Sequence, residues 1–303
     1  MAALSPAIRA WICSAAGSGV RFLSSRELKG SSSATLYRVT LLQGSKPVHV
    51  VLRLFTNREW LAVEPDIPEH EAAALDKVSA AGLPVPRLFT VDPRGAACGL
   101  PALLMSEVPG RVDLLPANIE NWLRQSAEFL VRLHAIDPGS FAWNYRPYFK
   151  PAKLAVPAWT TQPQLWERAI AIVNSPAPEA PPRFIHRDFH PVNLLWRGNR
   201  LSGVVDWVNA CLGPAGIDVA WARHNLAAMY GVPMADRWLD VCQDVMGSSF
   251  VYHPYWDLIT LLEILPGPID IYPPWLDFGL SHLTPRIIAE RDEAYLDSLL
   301  RRF

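Results

Sequence analysis

The chain has 303 residues, half of them hydrophobic, which is enough for one large domain or for two lobes with cores of their own. Lys and Arg number 28 against 29 Asp and Glu, and the net charge of −1 excludes a global field that would gather nucleic acid or an anionic membrane surface. Cys13, Cys98, Cys211 and Cys242 are too scattered for a disulfide framework or a CxxC metal site, which points to a reducing cytoplasm. In chain order, the first feature is negative. Arg9 and Arg21 bracket a stretch rich in Gly, Ser and Ala where a signal peptide needs an apolar core, and no apolar run along the chain reaches membrane-spanning length.

Leu28–Thr35 follows, with Gly30, Ser31, Ser32 and Ser33 as a small-residue loop whose N–H and hydroxyl groups suit phosphates. One glycine makes this a weak motif, and a plain surface loop reads nearly as well. Residues 36–42 and 48–55 are apolar and β-branched around Gln43-Gly44-Ser45-Lys46-Pro47, which predicts strand, turn, strand. A helix is predicted over 68–81, stopped by Gly82 and Pro84, and further strands over 87–91 and 102–108. Arg53 on the second strand and Glu71 on the helix, 18 residues on, are a candidate ion pair for holding nucleotide phosphates. Glu107 and Val108 lie in a connector at about 106–110, where backbone groups could meet an adenine edge.

Beyond the connector the pattern turns helical. Ile119, Trp122, Leu123, Phe129, Leu130, Leu133 and Ile136 recur at helical spacing, and further helices are predicted over 162–173, 217–230, 235–246, 255–265 and 283–300. Clustered prolines at 147–157, 176–182 and 266–274 mark irregular connections. Strands first and helices after argue an α+β chain of two lobes, residues 1–106 and 107–303, with a nucleotide cleft between them.

The chemistry concentrates in His186-Arg187-Asp188-Phe189-His190-Pro191-Val192-Asn193 and, thirteen residues after Asn193, Val205-Asp206-Trp207. Phosphoryl transfer from ATP requires one carboxylate to orient the attacking hydroxyl, here Asp188. It also requires oxygen donors for Mg²⁺, here Asn193 and Asp206. The apolar runs 194–196 and 201–205 around Arg197-Gly198-Asn199-Arg200 predict a β-hairpin between the two metal ligands. Asp188 could instead cap a turn, and Asn193 could be a turn residue; the shared spacing favours the chemical reading. A His186-x-Asp188-x-His190 zinc site lacks a third clustered His or Cys, so the histidines are expected to orient the loop by hydrogen bonds.

On these residues the chain resembles the aminoglycoside phosphotransferase and choline kinase superfamily, small-molecule kinases with a bilobal protein-kinase-like fold. The resemblance runs over roughly residues 20–225, through Val51-Leu52-Arg53, Glu71, Gly82–Pro86, Met105–Gly110 and the Asp188–Asp218 block. It implies Asp188 as catalytic base, Asn193 and Asp206 as magnesium ligands, Arg53 as phosphate contact and Asp218 as a structural carboxylate. Arg53 departs from the family's usual Lys, and Pro214 stands where an acidic residue often follows the glycine.

After Asp206 there is neither a DFG glycine nor an Ala-Pro-Glu, so no activation segment is available to dock a peptide and the acceptor is expected to be a small molecule. Residues 231–303 hold eleven Asp and Glu against five Arg, an acidic wall that suits an aminoglycoside-type antibiotic but also suits solvated helix faces. Aromatic residues there (Phe250, Tyr252, Tyr255, Trp256, Tyr272, Trp275, Phe278) could cage choline or line a macrolide pocket, or fill a core. Sugars and amino alcohols are further acceptors in view, and His253, Asp257 and Glu263 are candidate contacts. The rival to a kinase is a nucleotide-binding regulator without turnover.

Overall fold

The structure is a computed structural model, and it describes residues 4–28, 34–150, 153–263 and 267–303. It divides into two compact units: residues 1–109 together with 203–209, and residues 110–202 together with 210–303.

The first unit opens with helix α1 (Pro6–Ala16), which the sequence reading passed over. Its markers are local: the Ser5 hydroxyl accepts from Ile8 N at 3.3 Å, Pro6 sits in the first turn, and Gly17 ends it at φ 118°. Strands β1 (Val20–Leu28), β2 (Thr35–Gln43) and β3 (Lys46–Leu54) follow. After the short helix α2 (Arg58–Val63) come α3 (Ile67–Ala80), β4 (Leu88–Asp92) and β5 (Ala102–Ser106). The five strands form one antiparallel sheet in the order β1-β2-β3-β5-β4.

Strand alternation sorts the two faces. Leu52 and Leu54 join Val39, Leu41 and Leu104 in a core that α1 closes with Ile8 and Ile12. Arg53, between those leucines, must point the other way, and it meets Glu71 of α3, so α3 lies over the opposite face. Segment 203–209 joins this unit at the Gly82–Pro86 loop, where Val204 N donates to Pro84 O at 3.0 Å. Gly203 is required there, because a Cβ would stand 2.6 Å from the same oxygen.

The second unit is mostly helical, with α4 (Ile119–His134), α5 (Pro163–Val173), α6 (Ala215–Tyr230), α7 (Val232–Met246), α8 (Pro254–Leu262), α9 (Pro273–Asp277) and α10 (Pro285–Leu300). Trp166, Val173, Ile217, Leu258, Leu261, Tyr295 and Leu299 from α5, α6, α8 and α10 share its core. Its strands are short. β7 (Pro182–Ile185) pairs with β10 (Cys211–Pro214), and β6 (Arg111–Val112), β8 (Leu194–Arg197) and β9 (Arg200–Val204) form a three-stranded sheet. The predicted hairpin after Asn193 is β8–β9. No helix among the described residues is long and apolar enough to cross a membrane.

Candidate active site

The loop from His186 to Asn193 leaves β7 and enters β8 through a 3-10 turn at Pro191–Asn193. Its backbone is anchored by Asp218, a fully buried residue in the first turn of α6. One carboxylate oxygen accepts from Arg187 N at 2.7 Å, and the other accepts from His186 N at 3.0 Å and lies 2.9 Å from His134 Nε2. A buried carboxylate is tolerable only when its oxygens are engaged in this way. Phe189 is driven into the core, stacked on Phe129 of α4 at 6.0 Å. With Asp218 holding one side and Phe189 the other, Asp188 is displayed at the bend.

The two histidines orient the loop as expected. His186 Nδ1 accepts from Asp188 N at 3.3 Å, and His190 Nδ1 accepts from Val192 N at 3.3 Å. His190 Nε2 faces Asp188 Oδ1 at 3.5 Å and the Asn193 amide nitrogen at 3.2 Å. Asn193 Nδ2 donates to the Asp188 carbonyl at 2.9 Å and reaches Asp188 Oδ2 at 3.5 Å. Burial alone would raise the Asp188 carboxyl; His190, then His186 and the Asn193 amide, outweigh it and hold the group below its ordinary value. A partly exposed side chain (26 %) that stays ionised is equipped to accept a hydroxyl proton.

The first unit holds a cluster of its own. Arg53, 2 % exposed, pairs through Nη1 with Glu71 Oε1 and through Nη2 with Asp206 Oδ1 at 2.6 Å. Burial opposes its charge, and Asp206 and Glu71 more than offset that, raising the arginine above its ordinary value. The Arg53–Glu71 pair read from the sequence is present; Asp206 as a third member was not anticipated. Asp206 has a positive φ of 67°, a strained backbone that aims its carboxylate at Arg53.

Oxygen donors suited to Mg²⁺ remain. Asn193 turns its amide nitrogen to the Asp188 carbonyl and the His190 ring, and among the described residues its Oδ1 and Asp206 Oδ2 have no hydrogen bond. An amide oxygen and a carboxylate oxygen fit a hard cation. The Glu107 carboxylate takes Arg38 bidentately at 2.6 and 3.1 Å, at the end of β5 beside Val108. Gly30, Ser31, Ser32 and Ser33 lie outside the described residues.

The acidic C-terminal residues are largely spent within the fold. Asp236, Asp244, Asp257, Glu290 and Asp297 pair with arginines, Asp292 meets His224, and Glu293 binds Thr160 and Thr161. Of the aromatics, Phe250, Tyr255, Trp256 and Trp275 are buried, while Tyr272 meets the His190 ring in a T-shaped contact with centroids 5.8 Å apart. His253 caps α8, accepting from Tyr255 N, and Glu263 stands beside Tyr145. Sequence reasoning missed Arg187 and Tyr145; the positive φ of one and the hydroxyl bond of the other are visible only in three dimensions.

Known proteins place this arrangement. A Ralstonia eutropha JMP134 protein assigned provisionally to the aminoglycoside phosphotransferases superposes with a TM-score of 0.66 at 15 % identity, covering 97 % of this chain and 98 % of that one. Aminoglycoside phosphotransferase APH(4)-Ia, in a ternary complex with ADP and hygromycin B, gives 0.60 at 16 % identity over 93 % and 94 %. The macrolide 2'-phosphotransferase MphH of Brachybacterium faecium gives 0.55 at 15 % identity over 93 % and 97 %. At these identities the likeness establishes the fold. Homoserine kinase of Pseudomonas aeruginosa is 30 % identical over 173 residues, 50 % of this chain and 49 % of that protein. The chain thus spans about half the length of the curated relatives it matches. The model of the phosphotransferase enzyme family (APH) matches residues 25–241, which hold Arg53, Glu71, Asp188, Asn193, Asp206 and Asp218, and the chain belongs to that family.

Proposed function

We propose that the chain is an ATP- and Mg²⁺-dependent kinase that moves the γ-phosphate to a hydroxyl of a small molecule. The observation that carries this reading is the Asp188 carboxyl, kept ionised by His190 and Asn193 on a backbone anchored by Asp218, within the region the family model matches. In this reading Asp188 takes the hydroxyl proton as the acceptor oxygen bonds to the γ-phosphorus; the bond from that phosphorus to the ADP oxygen breaks, and ADP leaves. Asn193 Oδ1 and Asp206 Oδ2 would hold Mg²⁺, which would supply neutralisation of charge on the phosphates. Arg53, locked by Glu71 and Asp206, is the proposed phosphate contact, supplying its charge where the family's usual Lys stands. The backbone at Glu107 and Val108 meets the adenine edge, with Arg38 steadying it through the Glu107 carboxylate.

An aminoglycoside-type acceptor has the support of the structural neighbours, as a macrolide does; the internal pairing of the C-terminal acids weighs against a polycation and towards a smaller amino alcohol. The regulator reading draws on the Arg53–Asp206 pair, which already neutralises a proposed metal ligand. Titration with Mg·ATP tests the assignment. Asp206→Ala is expected to weaken nucleotide binding at least about tenfold; unchanged affinity at saturating Mg²⁺ contradicts its role as ligand.

A further inference from the structure

Arg187 and Asp206 are the only non-glycine residues with positive φ among the described residues. Asp206 has a chemical assignment; Arg187, at φ 68°, does not. Two bonds to Asp218 fix the backbone around it, and a glycine would hold that conformation without steric cost. The arginine therefore has its use in its side chain. Its guanidinium lies 3.8 Å from the Tyr148 ring centre and 5.3 Å from that of Tyr145, and Nη2 donates to the Arg146 carbonyl. Nε is buried with no hydrogen-bond partner among the described residues.

The same tyrosine segment holds a carboxyl group. Glu263, at the end of α8, accepts from Tyr145 Oη and from Tyr148 N, each at 3.2 Å, through Oε1. Its Oε2 is buried and has no partner. Burial pushes Glu263 up to about 7, Arg187 pulls it down and Asp188 pushes it up, so all three share one electrostatic neighbourhood. Arg187 and Glu263 nevertheless form no ion pair with each other. A cation and a carboxyl, each with an unused polar atom, flank the residue assigned to the acceptor hydroxyl.

We propose that Arg187 takes the carboxylate and Glu263 Oε2 the ammonium of a zwitterionic acceptor, an amino acid with a side-chain hydroxyl presented to Asp188. This inference rests on the kinase reading above. A polycation would be repelled by Arg187, and a neutral sugar would leave both charged groups without partners, so the pair selects by rejection as well as by attraction. Arg187 immediately precedes Asp188, which keeps the acceptor small.

The test is Mg²⁺-dependent ATP turnover with L-homoserine and L-serine. The decarboxylated partners are 3-amino-1-propanol and ethanolamine, the deaminated partners 4-hydroxybutyrate and 3-hydroxypropionate, and hygromycin B serves as the polycation. For the better amino acid, kcat/KM exceeds that of either truncated form by about 100-fold. Arg187→Gly, which relieves the backbone strain and so keeps the fold, abolishes the preference over the decarboxylated form alone. Glu263→Gln, isosteric with the protonated acid, abolishes the preference over the deaminated form alone. A purely structural role for either residue would lower all acceptors together. Turnover of hygromycin B with both amino acids inert overturns the inference and leaves the kinase reading standing. No turnover with any alcohol overturns the kinase reading; calorimetry of L-homoserine and L-serine then decides the inference alone, and absence of binding overturns it.

Discussion

Asp188 has little freedom to drift, because Asp218 holds the backbone before it, Phe189 is buried after it, and His190 and Asn193 hold its carboxylate. Asp188→Asn keeps this geometry and removes the proposed proton acceptor. Phosphoryl transfer is expected to fall by about 10²–10⁴-fold with ATP affinity nearly unchanged, read by turnover beside nucleotide titration; a mutant that turns over at the wild-type rate would mean that another group is the base. Arg53 is a different case. Replacing it with Met strands Glu71 and Asp206 without their cation, at a cost of about 3–5 kcal/mol in urea unfolding. Glu263 adds a pH signature. Its ordinary value is 4.5 and its folded value about 7, so the folded chain keeps a proton that the unfolded chain loses first. The stability this gives is fully present below about pH 4.5 and is lost as pH rises through about 7. Glu263→Gln should flatten that part of a melting-temperature profile, and an identical slope in both proteins would sink the assignment.

At the scale of elements, legibility followed periodicity. α4 was readable because Trp122, Leu123, Phe129, Leu130 and Leu133 make a continuous buried stripe, and β2 and β3 because apolar residues flank an obvious turn. α1 was not read, since its Ala, Ser and Cys residues leave only Ile8 and Ile12 as buried anchors. β1 alternates poorly and carries Arg21, Arg26 and Glu27, as an edge strand does, and β7 and β10 are four residues each. α1 nevertheless closes one face of the sheet. Ile12, with no exposed surface, should cost about 2–4 kcal/mol when cut to Ala. A loss below about 1 kcal/mol by denaturant unfolding would show that α1 is only laid against the sheet.

For the whole molecule, what the sequence made legible was whatever is local along the chain. The catalytic spacing fits within 21 residues, and Arg53 with Glu71 spans one strand and the next long helix. What stayed hidden was assembled by tertiary packing. Residues 203–209 fold with the first unit while Asp188 and Asn193 belong to the second, and the Tyr145–Tyr148, Arg187 and Glu263 cluster draws on three distant segments. Family membership supports the proposed reaction class, and the residues beside Asp188 bear on the proposed acceptor. The measurement that tests the central claim most directly is ADP formation from Mg·ATP by the purified protein across amino-acid, amino-alcohol, sugar and antibiotic acceptors, with Asp188→Asn alongside. The account predicts ADP formation stimulated by one small hydroxylated acceptor and abolished in the mutant. Tight Mg·ATP binding with no stimulation by any acceptor, or stimulation equal in the mutant, would contradict it.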